Sequence, residues 1–185
     1  MEKKHTIYKI ATIGIFGVLV FVSNMISIPI PVAIGSVTRI HLGNTFCLLS
    51  GLVLGGLNGG LSAGIGSALY DLTNPAYIAS APFTFVFKFL MAFVAGILSH
   101  SNKRNGEKFL WNLLGCTLGQ ITYIVLYIAK SFIEGLLEGS AAMALIPSML
   151  TKLTTSSINA VIAIVISIPL SIIIRKALTK SKLLS

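Results

Sequence analysis

Charge is what this chain of 185 residues has least of: charged residues make up 10% of it, and acidic ones number 5. A water-soluble domain carries about a quarter charged residues, so with 55% hydrophobic residues the composition excludes an ordinary soluble fold. Cysteine is nearly missing. Cys47 and Cys116 stand singly in apolar runs, which excludes a disulfide framework and leaves both as small buried hydrophobes. No cluster of His, Cys or carboxylates has metal-ligand spacing, so no metal and no other cofactor is expected. The Gly-x-x-x-x-Gly-Lys-Ser/Thr phosphate loop is missing, so the chain is not expected to bind and hydrolyse ATP in that manner. Gly60-Leu61-Ser62-Ala63 and Gly64-Ile65-Gly66-Ser67 look superficially like nucleophile turns. Neither is followed by a His inside a later apolar segment, because His100 falls at a helix end. The chain reads as a non-enzyme.

What remains is long apolar sequence with basic punctuation. The net charge of +9 does not point to nucleic acid. The basic residues flank apolar spans rather than forming one amphipathic face, and membrane topology explains them better. A span needs about 20 apolar residues. The first apolar run is too long for a secretory h-region and lacks a clear cleavage site, so it is expected to be a retained helix over residues 8–28. Pro29 and Pro31 end it, and residues 31–42 form a connection. Residues 43–72 are too long for one span and are interrupted by Leu54-Gly55-Gly56-Leu57-Asn58-Gly59-Gly60-Leu61, a turn signal. Two short helices, 43–56 and 60–72, are expected there. A loop over 73–82 and helices over 83–100, 109–131 and 147–175 complete an all-α, polytopic bundle of six transmembrane helices in a single domain, 1–185.

Charge tests the count. With six spans and the N-terminus inside, Lys3, Lys4, Lys9, Lys103, Arg104, Lys108, Arg175, Lys176, Lys180 and Lys182 are all cytoplasmic, and Glu134 and Glu138 are outside. Merging 43–72 into one span would turn seven of those basic residues outward, against the positive-inside rule. The expected setting is the cell membrane, with both termini cytoplasmic. Trp111 and Tyr8 fall at the cytoplasmic interface as anchors. The glycine series of helices 2 and 3, with Gly51, Gly55, Gly60 and Gly64 at spacings of four, reads first as close helix packing. Ala11, Gly14 and Gly17 give helix 1 a small-residue surface that packs in the bundle or docks a partner subunit.

Ionisable side chains in hydrocarbon are costly and usually line a cavity or a pathway. Six spans bring such groups together in the outer half of the membrane. Arg39, His41 and Asn44 precede or begin helix 2, Asp71 ends helix 3, and Lys88 lies early in helix 4. Gln120, Tyr123, Tyr127 and Lys130 share one face of helix 5, and Lys152, Thr155 and Asn159 one face of helix 6. Stripes on two helices and charges on others predict a shared outward-facing pocket for a polar solute. Each member also has a plainer role: Lys130 and Lys152 snorkelling to the interface, Asp71 and Lys88 as an ion pair bracing helices 3 and 4, and the tyrosines as core aromatics.

The stretch from His41-Leu42-Gly43-Asn44 through Gly55, then Gly60 to Asp71, then Pro82 to Gly96 with Lys88 inside, resembles the substrate-binding S components of energy-coupling factor (ECF) vitamin transporters. The similar branch is the riboflavin and hydroxymethylpyrimidine type, and the match is strongest over residues 39–98. The resemblance implies high-affinity capture of a vitamin in an outer-half pocket, with residues 31–42 as lid. It implies docking on a transmembrane coupling subunit driven by two ATPase subunits. The family's docking surface on helix 1 is commonly Ala-x-x-x-Ala; here Ala11 is followed by Ile15, with Gly14 and Gly17 as the nearest small residues. Donors and aromatic faces suit a pyrimidine- or pyridine-sized compound such as hydroxymethylpyrimidine or pyridoxine, with riboflavin or pantothenate close behind. The alternatives are a ligand-free structural membrane subunit and a stand-alone secondary carrier. The carrier is disfavoured because the chain halves show no internal repeat.

Overall fold

Alternate ends of the bundle receive the six helices in turn. The computed structural model describes residues 2–35 and 37–180, and the side chains among them except those of 2–6, 8, 179 and 180. The expectations for Lys3, Lys4, Tyr8, Lys180 and Lys182 lie outside the described side chains. The helices are α1 (Glu2–Met25), α2 (Gly43–Leu54), α3 (Gly56–Thr73), α4 (Ala81–His100), α5 (Phe109–Leu137) and α6 (Ala142–Lys180). Between α1 and α2 lies a hairpin of strands β1 (Ser27–Ile30) and β2 (Thr38–His41).

Long-range bonds fix which ends meet. At one end, Arg175 of α6 donates to the carbonyls of Leu52 and Val53 at the close of α2 and contacts His100 at the close of α4. At the other, the hairpin amide of Ile34 bonds Ser148 near the start of α6, and Lys130 of α5 reaches Ser80 just before α4. Six crossings in strict alternation follow. Lys9, Lys103, Arg104, Lys108, Arg175 and Lys176 gather at the first end, and Glu134 and Glu138 at the hairpin end.

Apolar length marks three of these helices as full spans by itself. Among the described residues, three segments are long and apolar enough to cross a membrane: Ile78–Lys103, Phe109–Leu137 and Ala142–Leu178. Lys9–Met25 and Gly43–Leu54 are shorter apolar helices. The core holds Val20, Leu48, Leu52, Met91, Ala92, Ala95, Cys116 and Ala163, while Ile121, Val125, Val161, Val165 and Ile173 point outward, as lipid-facing side chains do. The fold is an all-α polytopic membrane bundle. Both cysteines are fully buried.

The turn between α2 and α3 is tighter than expected. The four glycines do not open a loop over 55–60, because α3 already begins at Gly56. Gly55 alone turns the chain, at φ +80°, a conformation that glycine adopts freely. The remaining glycines serve approach instead: a Cβ on Gly66 would collide with the carbonyl oxygen of Gly17, so α1 and α3 meet backbone to backbone.

Other boundaries also moved. α1 runs Glu2–Met25 rather than 8–28, because residues from Ser27 on pair as a strand, and α6 extends to Lys180. α5 continues past 131 to Leu137, because the Lys130–Glu134 pair at 2.6 Å joins charges one turn apart that hydropathy alone read as an end. α6 begins at Ala142 and carries Pro147 and Pro169 inside it; helices packed in a membrane bundle tolerate proline because neighbours and side chains satisfy the freed groups. Residues 78–80 form a short 3-10 turn leading into α4 at Ala81.

Candidate functional site

The hairpin is where the sequence reading fell short, and it forms one wall of the site. Ser27 pairs with His41, Ile28 with Ile40, Pro29 with Arg39 and Ile30 with Thr38. The Leu42 amide continues the ladder to the Ile26 carbonyl at 3.3 Å. Antiparallel strands alternate hydrogen-bonded and open pairs, so Ile28–Ile40 is a bonded pair and Pro29–Arg39 an open one. Proline is thereby placed where no donor is required. The backbone groups of Arg39 and His41 turn the other way, toward α6. There the Asn159 carboxamide takes both: the His41 N–H donates to Oδ1 at 3.0 Å, and Nδ2 donates to the Arg39 carbonyl at 2.8 Å. Farther along, the Ile34 N–H donates to the Ser148 hydroxyl at 2.8 Å. The hairpin is moored to α6 at two points.

Beneath it lies a cavity of about 70 Å³, several times what one water needs. Eight of the expected residues line it: Arg39, His41, Asp71, Lys88, Tyr123, Tyr127, Lys130 and Asn159. Asp71 does not pair with Lys88. It pairs with Arg39 at 3.3 Å, whose guanidinium lies over the rings of Tyr70 and Tyr77 at 4.4 and 4.5 Å. The brace thus runs from α3 to the hairpin rather than from α3 to α4. Lys88 donates to Asn44 Oδ1 and sits 3.8 Å above the Tyr123 ring. Tyr123 and Tyr127, one turn apart on the expected face of α5, stack in parallel at 5.8 Å between centroids. Lys130 is held by Glu134 and, at 3.0 Å, by the Ser80 hydroxyl, so it turns into the bundle rather than out toward the interface.

His41 Nδ1 accepts the Gly43 N–H at 3.0 Å. That nitrogen therefore carries no proton, and the remaining N–H is on Nε2. Burial first, then the charges of Lys88 and Arg39, lowers the imidazole pKa well below its usual value, so the ring is neutral and acts as a donor.

Four expected residues do not line the cavity. Asn44 and Gln120 are buried behind Lys88, joined by an Asn44 Nδ2 to Gln120 Oε1 bond at 3.2 Å. Lys152 is buried beneath the hairpin tip, donating to Ser131 at 3.1 Å. Thr155 turns its hydroxyl back to the Thr151 carbonyl. Sequence reasoning missed Thr38, Tyr77, Ser80, Phe83, Thr84, Phe87 and Ser156. Thr84, Phe87 and Lys88 follow the i, i+3, i+4 spacing of one helical face, a signal already present in the expected helix over 83–100. On α1, Ala11 and Gly14 face outward, with open space around Gly14, whereas Gly17 is buried against α3.

Six apolar helices alternating between two ends, with charged and aromatic side chains around a cavity under a hairpin, define a polytopic membrane protein of the solute-handling kind. Comparison narrows the class. The chain belongs to the family described as ECF-type riboflavin transporter, S component, whose model matches residues 4–176. Proteins of this family are substrate-binding subunits of membrane vitamin uptake, not enzymes, and work with ECF transmembrane and ATPase subunits. An uncharacterized protein in the gap 3' region of Pyrococcus woesei is 30% identical over 109 residues, which is 59% of this chain and 68% of that protein. No solved structure matches significantly.

Proposed function

We propose that this chain is the membrane-embedded, high-affinity binding subunit for uptake of a small heterocyclic vitamin, energised by separate coupling and ATPase subunits. Riboflavin is the first candidate, on the strength of the family match over residues 4–176. A hydroxymethylpyrimidine- or pyridoxine-like compound and pantothenate follow. The observation that carries the reading is the cavity itself: stacked Tyr123 and Tyr127, with Tyr77, Phe83 and Phe87, offer ring faces, and His41, Lys88 and Arg39 offer donors among them. Ligand sites combine apolar walls with a few placed polar groups in this way.

In this reading the chain is one domain with both termini cytoplasmic, which agrees with the basic residues at the end opposite the hairpin. The cavity then opens outward, and the hairpin over residues 27–41 is its lid. Ala11 and Gly14, the outward small residues of α1, are the docking surface for the coupling subunit; Gly17 is not part of it. Titration of the purified full chain in nanodiscs with riboflavin, pyridoxine, hydroxymethylpyrimidine and pantothenate tests the proposal. Saturable binding of one of them is expected. Absence of binding to all four overturns it.

A further inference from the structure

Three cations line the cavity, Arg39, Lys88 and Lys130, against one carboxylate, Asp71. Two are accounted for: Arg39 pairs with Asp71 and Lys130 with Glu134. Lys88, 2% exposed, belongs to neither of the ion pairs found among the described residues. Its hydrogen-bond partner is an amide, and the Tyr123 ring beneath it carries no charge. A lysine ammonium only donates, so Asn44 must present Oδ1 to it. Asn44 Nδ2 then faces Gln120 and requires its Oε1, which leaves Gln120 Nε2 buried without a partner. The orientation of both amides is thus dictated by Lys88. This chain of dipoles from α4 through α2 to α5 holds the ammonium in place and supplies no countercharge. A second unfilled donor, Arg39 Nη1, is buried on another cavity-lining residue. Buried charge without countercharge is costly unless a partner supplies it.

We propose that Lys88 sets the charge of the ligand: the cavity takes a group of full or partial negative charge, either a carboxylate or the carbonyl edge of a dioxopyrimidine ring, and turns away cations. Asn44 and Gln120 are positioning residues that act through Lys88. The proposal rests on the vitamin-binding reading and adds to it which chemistry the ligand shows the protein.

The test is titration of the full chain in nanodiscs with riboflavin for the dioxopyrimidine edge, pantothenate for the carboxylate and thiamine for a cation. Wild type, Lys88→Met and Lys88→Arg are compared, and the melting temperature of each unliganded protein is recorded. Wild type is expected to bind riboflavin or pantothenate and not thiamine. Lys88→Met is expected to weaken that binding about tenfold to a hundredfold, the range for hydrogen bonds to a charged group. Its unliganded melting temperature should be unchanged or higher, since a lone buried charge has been removed, and Lys88→Arg should retain more affinity than Lys88→Met. Thiamine binding as tightly as the other ligands overturns the proposal. So does Lys88→Met binding within threefold of wild type, or a fall in its melting temperature alongside lost binding, which assigns Lys88 to holding helices together. The thiamine and Lys88→Arg arms decide the matter even if Lys88→Met does not accumulate. Wild type that binds none of these three but binds pyridoxine or hydroxymethylpyrimidine removes only this proposal, as does binding indifferent to Lys88, whereas wild type that binds none of the five removes the uptake reading itself.

Discussion

Replacing Asn159 with alanine should loosen the hairpin without disturbing the rest of the bundle. The side chain contributes two hydrogen bonds, at 3.0 Å from the His41 amide and 2.8 Å to the Arg39 carbonyl. Each bond is worth about 1 kcal/mol net, and stranding a buried donor or acceptor costs about 1–3 kcal/mol. His41 is buried, so water does not readily replace the lost partner. A total of about 2 kcal/mol is a conservative sum, and at about 1.4 kcal/mol per decade it raises the open population of β2 about thirtyfold. Amide hydrogen exchange read by mass spectrometry on a peptide covering residues 38–42 measures this directly and needs no ligand. Exchange there should accelerate by that factor, while a peptide covering 109–119 stays as in wild type. If residues 38–42 exchange within threefold of wild type, the mooring argument is wrong. A uniform rise across both peptides refutes it equally, because Asn159 would then be holding the bundle and not the hairpin.

Two other substitutions probe the packing that supports the site. Gly66→Ala drives a methyl into the Gly17 carbonyl and to 2.9 Å from Val20 Cβ, so thermal unfolding should show a loss of about 1–3 kcal/mol, the usual cost of overpacking; an unchanged melting temperature would mean that α1 and α3 separate freely. Arg175→Met removes the donors to Leu52 and Val53 at 3.1 and 3.0 Å and leaves the carbonyls that end α2 unmet. A loss of about 2 kcal/mol is expected, with Arg175→Lys recovering part of it; an Arg175→Met variant as stable as wild type would show that the guanidinium caps nothing.

Much of the architecture was legible because the membrane simplifies the code. Six helices followed from apolar length and from where the basic residues fall, and the face carrying Tyr123, Tyr127 and Lys130 followed from helical spacing. The convergence of Arg39, Asp71 and Lys88 followed from the cost of burying charge. What escaped notice has physical reasons too. The strands Ser27–Ile30 and Thr38–His41 are four residues each, and Pro29 argues against a strand unless its missing donor faces away from the partner, which only the register reveals. Phe83 and Phe87 look like any lipid-facing aromatics, because spacing does not say whether a ring meets lipid or a void. Asn44 and Gln120 share their faces with cavity residues, yet spacing cannot tell a side chain at the surface of a void from one a layer deeper. Pairing was equally hidden: Asp71 chose Arg39 over Lys88 because the hairpin brings the guanidinium across, and nothing local in the sequence encodes that crossing.

A two-stranded ribbon normally leaves two rows of backbone groups open to any extended segment that passes. Here both margins are interrupted, by different means. Along β1 the proline ring at position 29 stands where an outward amide would be, and proline is the residue tolerated at such a border. Along β2 a carboxamide from α6 imitates a third strand over one repeat. A neighbouring copy therefore meets a border interrupted on either side, and detachment from α6 would uncover the backbone groups of Arg39 and His41 that Asn159 holds.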